Sequence, residues 1–103
     1  PVVEGNPFAW MYSGIARIYP DGKPEKGWNP QEKLTIEDLL EMYTYGCAYG
    51  ERREDDLGTL ETGKLADITV LDRNLLRVTS EEILKTKVLL TIVDGKIVYE
   101  CEL

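Results

Sequence analysis

Leu57-Gly58-Thr59-Leu60-Glu61-Thr62-Gly63-Lys64-Leu65-Ala66-Asp67-Ile68-Thr69-Val70-Leu71-Asp72 carries the main fold signal of this chain. Its glycines and lysine match the spacing of a phosphate-binding P-loop. The chemistry does not follow. Leu65 stands where Ser or Thr would have to ligand magnesium, an acidic run rather than a strand precedes the loop, and an extended segment rather than a helix comes after it. Without a helix N-terminus there is neither a dipole nor a row of free amides for phosphate. Both glycines are read instead as turn formers, leading into a short, β-branched and partly alternating strand over residues 66–71.

Towards the C-terminus, Thr79-Ser80-Glu81-Glu82 has the form of a capping box that opens one or two helical turns through Ile83 and Leu84. Residues 88–93 and 96–101 then flank Asp94-Gly95, a pair that tolerates positive φ and suits a two-residue type I′ hairpin. Towards the N-terminus, the acidic and basic run Glu51-Arg52-Arg53-Glu54-Asp55-Asp56 reads as a solvated connection. Before it, Thr35 and Asp38 resemble a capping box with Asp in place of Glu. Ile36, Leu39, Leu40, Tyr43, Cys47 and Ala48 then fall on one face, predicting a helix over 36–49 with Gly50 as a left-handed cap. The stretch 19–30 is dense in Pro and Gly and cannot hold a regular element. Asn6 as N-cap and Pro7 at the first position start another helix, over 7–17, with Phe8, Met11, Tyr12, Ile15 and Ala16 as its buried stripe.

With 103 residues and 43% hydrophobic content, the chain can build a globular core. Twelve Lys plus Arg against nineteen Asp plus Glu leave a net charge of −7, which repels phosphate backbones and anionic lipid headgroups, so neither nucleic acid nor a membrane is expected as a partner. Apolar runs such as 88–93 fall far short of the ~20 residues that span a bilayer. Cys47 and Cys101 lie far apart and read as reduced thiols, which points to a cytoplasmic protein. The chain opens at Pro1 with no initiator Met and no leader pattern, so an upstream segment is expected.

Histidine is absent. That excludes Ser/His and Cys/His nucleophile systems, HExxH zinc sites and imidazole acid/base chemistry within these residues. The carboxylate pairs Asp55/Asp56 and Glu81/Glu82 sit in polar surroundings where pKa values should stay near their reference. Phe8, Trp10, Tyr12, Tyr43, Tyr45 and Tyr49 interleave with helical core positions and are expected to pack rather than to form a stacking platform. Cys47 should be a small buried hydrophobe on the apolar helix face, and neither thiol has a basic neighbour to activate it. Glu4, beside Gly5 in the opening segment, is the one acidic residue placed where loops often carry function. No residue here is assigned a catalytic or metal-ligating role.

The stretch 57–72 also resembles the signature G-x-L-E-x-G-K-x-A-D found near the C-terminus of the amidohydrolase superfamily. Two further pieces agree in order: Trp28-Asn29-Pro30 through Leu34-Thr35-Ile36-Glu37-Asp38 to Tyr43-Thr44, and Thr91-Ile92-Val93-Asp94-Gly95-Lys96-Ile97-Val98-Tyr99. Together they resemble the branch called amidohydrolase 3, which includes N-substituted formamide deformylases. The opening Pro1-Val2-Val3-Glu4-Gly5-Asn6-Pro7-Phe8 is similar to the segment just past the last barrel strand there, after a Ser-Asp-x-Pro element.

The resemblance implies an α+β C-terminal fragment: residues 1–56 as the last helices of a TIM-type (β/α)₈ barrel, and 57–103 as part of a composite β-sandwich ending in the hairpin. The parent would be a hydrolase of non-peptide C–N bonds in small amide or formamide substrates, dependent on a divalent metal, expected to be zinc. Its ligands, an HxH pair, further His residues, often a carboxylated Lys and an Asp, would all lie upstream of Pro1. Val2, Val3 and Glu4 would be nearest the substrate, and the chain alone should be inactive. A non-catalytic interaction or regulatory module derived from such a sandwich is the alternative. Strands normally paired with an N-terminal segment would leave open edges, so association between copies is expected.

Overall fold

The computed structural model describes residues 5–102. The chain packs as two compact units: one takes the residues up to Leu39 together with Asn74–Thr86, the other Leu40–Arg73 together with the residues from Lys87 on.

In the first unit, α1 (Pro7–Ala16) begins as its sequence dictates. The Asn6 side chain accepts from the Phe8 N–H at 3.0 Å, and Pro7 occupies a position with no amide to satisfy. Phe8, Ala9, Met11 and Tyr12 are buried, and Ile15 and Ala16 half-buried. Arg17, at φ +58, ends the helix in the left-handed region while its N–H still reaches the Ser13 carbonyl. Gly14 lets the chain pass close: a Cβ there would lie 3.2 Å from Leu39 Cδ2, and the Gly14 carbonyl accepts from the Leu34 N–H at 3.0 Å. After a 3₁₀ turn at Pro30–Glu32, α2 (Ile36–Glu41) starts. Its capping box is reciprocal despite the shorter acid: the Asp38 carboxylate accepts from the Thr35 N–H at 3.0 Å and the Thr35 hydroxyl from the Asp38 N–H at 3.1 Å.

The short α4 (Ser80–Leu84) packs against α1. Five residues cannot sustain a helix in isolation; this one is held by a complete capping box between Thr79 and Glu82 and by Ile83, which is 2% exposed. Thr79→Ala should therefore cost about 1 kcal/mol, read as a lower denaturant midpoint, and an unchanged midpoint would mean that the box is redundant.

The helix expected over 36–49 is continuous in sequence but not in geometry. Between α2 and α3 (Cys47–Gly50) lies a π-helical turn, Met42–Gly46. Each π turn adds a residue and rotates the positions beyond it by about 100° relative to a regular 3.6-residue helix. The one-sided stripe is thereby broken: Leu39 and Ala48 are buried, whereas Tyr43, Tyr45, Cys47 and Tyr49 are exposed. The expectation that Cys47 is buried on the apolar face is overturned for this reason; the expectation that Tyr43, Tyr45 and Tyr49 are core residues fails as well, Tyr45 and Tyr49 lying off the one-sided stripe even in a regular helix. Trp10 is half-buried, so of the six aromatic residues read as packing only Phe8 and Tyr12 are fully buried. The Cys47 thiol donates instead to the Met42 carbonyl at 3.2 Å. Gly50 is not the left-handed cap either, since that conformation falls on Arg52, at φ +59.

The second unit also contains a three-stranded antiparallel sheet in the order β1 (Ile68–Leu71), β2 (Val88–Val93), β3 (Lys96–Glu100). Asp94 at φ +48 and Gly95 at φ +76 form the hairpin turn, both in the left-handed region that a type I′ turn needs. Asp72 closes the far end of the β1–β2 ladder. Its N–H donates to the Lys87 carbonyl at 3.0 Å, its carboxylate accepts from the Lys87 N–H at 3.1 Å, and Arg73 binds both of its oxygens.

The Arg73 side chain first, then the Lys87 amide, hold the Asp72 carboxyl well below the usual carboxylate range. A pKa lowered on folding adds stability that is present above the unfolded value of about 4 and is lost as the pH falls below it. Asp72→Asn should flatten the acid limb of a stability-versus-pH curve below about pH 4, and a limb of unchanged slope would dismiss Asp72 as its source.

Candidate functional site

Val2, Val3 and Glu4, expected to lie nearest a substrate, fall outside the described residues. A cavity of about 360 Å³ lies at the end of α1 and is lined by Ser13, Arg17, Ile18, Tyr19, Pro24 and Trp28. Local chemistry builds it. The left-handed Arg17 turns the chain out of the helix, and the loop returns so that Arg17 and Trp28 bind each other. The Trp28 N–H donates to the Arg17 carbonyl at 2.8 Å, and Arg17 Nε donates to the Trp28 carbonyl at 2.9 Å. The guanidinium carbon sits 5.3 Å from the Trp28 ring centroid, within cation–π range. Gly27, at φ +75, permits this return, because a Cβ there would press to 3.3 Å on the Ala16 carbonyl. The Ser13 hydroxyl oxygen is buried and has no hydrogen-bond partner among the described residues.

The arrangement sets a cation, a hydroxyl and an indole ring around one cavity. Arg17 is permanently cationic, and without imidazole the Ser13 hydroxyl has no base of the usual kind. Arg53 Nη2 lies 2.6 Å from Asp56 and holds that carboxyl below its ordinary value, so Asp56 departs from the expected reference behaviour in the direction opposite to a proton donor. Among the described residues no three His, Cys, Asp or Glu side chains gather as a metal site would require. The sequence marked 19–30 as a stretch without a regular element. It gave no sign that Arg17 would be left-handed, and hence none that Arg17 and Trp28 would meet.

The signature stretch has a structural role that its residues explain. Gly58 at φ +97 and Gly63 at φ +96 make the two turns. The Lys64 amine, on a side chain only 11% exposed, donates to the carbonyls of Glu54 at 2.6 Å and Leu57 at 3.4 Å, which ties the loop to the acidic segment before it. The Leu65 N–H donates to the Asp56 carbonyl at 2.9 Å. Asp67 then anchors the hairpin: its carboxylate accepts from the Asp94 N–H at 2.8 Å, while the Ala66 carbonyl accepts from the Gly95 N–H at 3.0 Å. The lysine that mimics a P-loop thus points at backbone carbonyls, and a strand comes after it.

Comparison with known proteins agrees with this reading of the signature. The family model described as Amidohydrolase family, amidohydrolase 3, matches residues 6–99. The chain is 35% identical over 95 residues to the N-substituted formamide deformylase of Arthrobacter pascens, covering 92% of this chain and 17% of that protein. It is 33% identical over 99 residues to Protein LONG AFTER FAR-RED 3 of Arabidopsis thaliana, covering 96% of this chain and 16% of that protein. It is 37% identical over 81 residues to the dihydroorotase of Aquifex aeolicus, covering 65% of this chain and 19% of that protein. The chain therefore spans less than a fifth of the length of these relatives. No solved structure matches it. Among the described residues no helix is long and apolar enough to cross a membrane. With a match that runs from the cap of α1 into the last strand, the chain belongs to the amidohydrolase family, in its amidohydrolase 3 branch.

Proposed function

We propose that this chain is the C-terminal portion of a cytoplasmic, metal-dependent amidohydrolase that cleaves non-peptide C–N bonds of the amide or formamide type in small molecules. The family match over residues 6–99 carries this reading, and the relatives named as a formamide deformylase and a dihydroorotase support the bond type. In the parent protein, residues 1–56 end the barrel, Val2, Val3 and Glu4 approach the substrate, and 57–103 contribute to a β-sandwich, with 74–86 returning to pack on α1. The strands β1 to β3 all fall after residue 67, with α4 between the first two, which supports placing the sheet within 57–103. The parent's metal, zinc in this reading, is held by residues upstream, since this chain contains no histidine and its part is scaffold. The open edges of the sheet support association between copies.

The intact mass of the native protein, or the reading frame upstream of Pro1, tests this. Several hundred preceding residues with an HxH pair are expected, and the 103-residue chain mixed with zinc should leave an N-substituted formamide intact. Stoichiometric zinc on the isolated chain together with turnover would overturn the scaffold role. A second reading, a non-catalytic interaction or regulatory module, is favoured by one relative whose name carries no enzymatic term; an upstream frame lacking any histidine pair would select it.

A further inference from the structure

Arg17 is held so that one end of its guanidinium is left over. Its Nε donates to the Trp28 carbonyl at 2.9 Å and its central carbon lies 5.3 Å from the Trp28 ring centroid, which fixes the plane of the group and occupies the side that uses Nε. The two terminal nitrogens make no hydrogen bond among the described residues. They form a fork whose N–H groups suit a planar acceptor with two oxygens. Arg17 is half-buried and has no ion-pair partner among the described residues, in a chain of net charge −7. Asp21, in the loop that follows, is engaged by the Lys23 N–H at 2.9 Å.

The cavity beside this fork is built by the chain's own bonds. The Tyr19 N–H donates to the Lys23 carbonyl at 2.9 Å, the Gly22 N–H to the Tyr19 carbonyl at 2.8 Å and the Gly27 N–H to the Pro24 carbonyl at 2.9 Å, so the loop that walls it is closed on itself. Ile18, Tyr19, Pro24 and Trp28 make those walls largely apolar, as small-molecule sites are. We propose that the cavity is a carboxylate site: the carboxylate is gripped by the terminal nitrogens of Arg17, and the apolar stem or ring that carries it lies against Ile18, Tyr19 and Pro24. One cation balances one negative charge, so a phosphate dianion would be left half-compensated, and the chain's net charge repels polyanions. An amide offers the fork one oxygen in place of two. The carboxylate can belong to a free acid or to an Asp or Glu of a longer native chain, since both present the same group to Arg17. The inference uses residues of this chain alone and goes beyond the hydrolase reading.

Calorimetric titration of the full 103-residue chain, and of the native protein at its whole length, with benzoate as the probe tests this. Benzoate should bind the chain at one equivalent, with benzamide and inorganic phosphate weaker by about tenfold or more. Arg17→Gln should weaken benzoate by a similar factor. Should that variant unfold, Tyr19→Ser leaves the guanidinium in place, at a side chain 60% exposed, and should lower the affinity for benzoate but not for acetate. Equal benzoate affinity in the chain and in the native protein would identify a free acid as the source. Binding to the chain that is lost in the native protein, where Arg17→Gln then lowers Tm further than it does in the chain, would identify the protein's own carboxylate. Loss in the native protein without that added fall in Tm would overturn the site. So would a chain that ignores benzoate, that takes benzamide or phosphate as tightly, or whose benzoate affinity survives both substitutions. None of these readouts involves hydrolysis, so the site and the hydrolase reading fail separately.

Discussion

Replacing Gly58 with alanine should destabilise the chain by about 2–4 kcal/mol, the sum of two separate penalties. The first is conformational: Gly58 sits at φ +97, a region that side chains with a Cβ rarely adopt. The second is steric. The new Cβ would lie 2.9 Å from the Ala48 Cβ and 3.0 Å from the Tyr45 Cα. Neither neighbour is the free end of a flexible side chain: Ala48 is 5% exposed, and the Tyr45 Cα is backbone within the π turn. Gly63 supplies the internal control, at φ +96 but with nothing within 4 Å of the added atom. Gly63→Ala should therefore show only the conformational part, about 1–2 kcal/mol. Urea midpoints of the two variants give the difference directly, and equal losses would show that the contact with the helix is not limiting.

Ile83→Ala should cost about 2–5 kcal/mol, because it empties a side chain that the surrounding residues enclose almost completely. The same residue holds a helix too short to persist without packing. Ile83→Val, which removes one methylene, should cost about 0.5–1.5 kcal/mol. The ordering Ile83→Ala, then Thr79→Ala, then an exposed truncation such as Leu60→Ala, at 80% exposure, separates packing from capping and from surface effects. If Ile83→Ala cost no more than Thr79→Ala, the capping box rather than burial would be what keeps α4 in place.

Local rules were strong wherever the partner of a residue lies within a few positions. Asn6-Pro7, Thr35 with Asp38, Thr79 with Glu82 and Asp94-Gly95 each satisfy their hydrogen bonds or dihedral angles inside one turn, and each appears in the structure where the residues put it. The glycines of the signature also behaved as turns, since their conformation follows from lacking a Cβ. The candidate site was far less legible. Its Arg17 owes its position to a left-handed backbone that no arginine prefers, and it meets Trp28 only because Gly27 lets the loop return.

From its residues alone this chain is marked as a member of the amidohydrolase 3 branch, with α1, α4, the three strands and the hairpin turn placed to within two residues. The chain's lack of imidazole likewise comes from the sequence. Tertiary structure decided which faces are covered. A π turn rotates Cys47 into solvent, Lys64 directs its charge at backbone carbonyls, and among the described residues β3 is exposed and has a strand partner on one edge alone. Periodicity in a sequence reports which residues share a side only while the helix keeps 3.6 residues per turn. Burial further depends on what another part of the chain brings against that side.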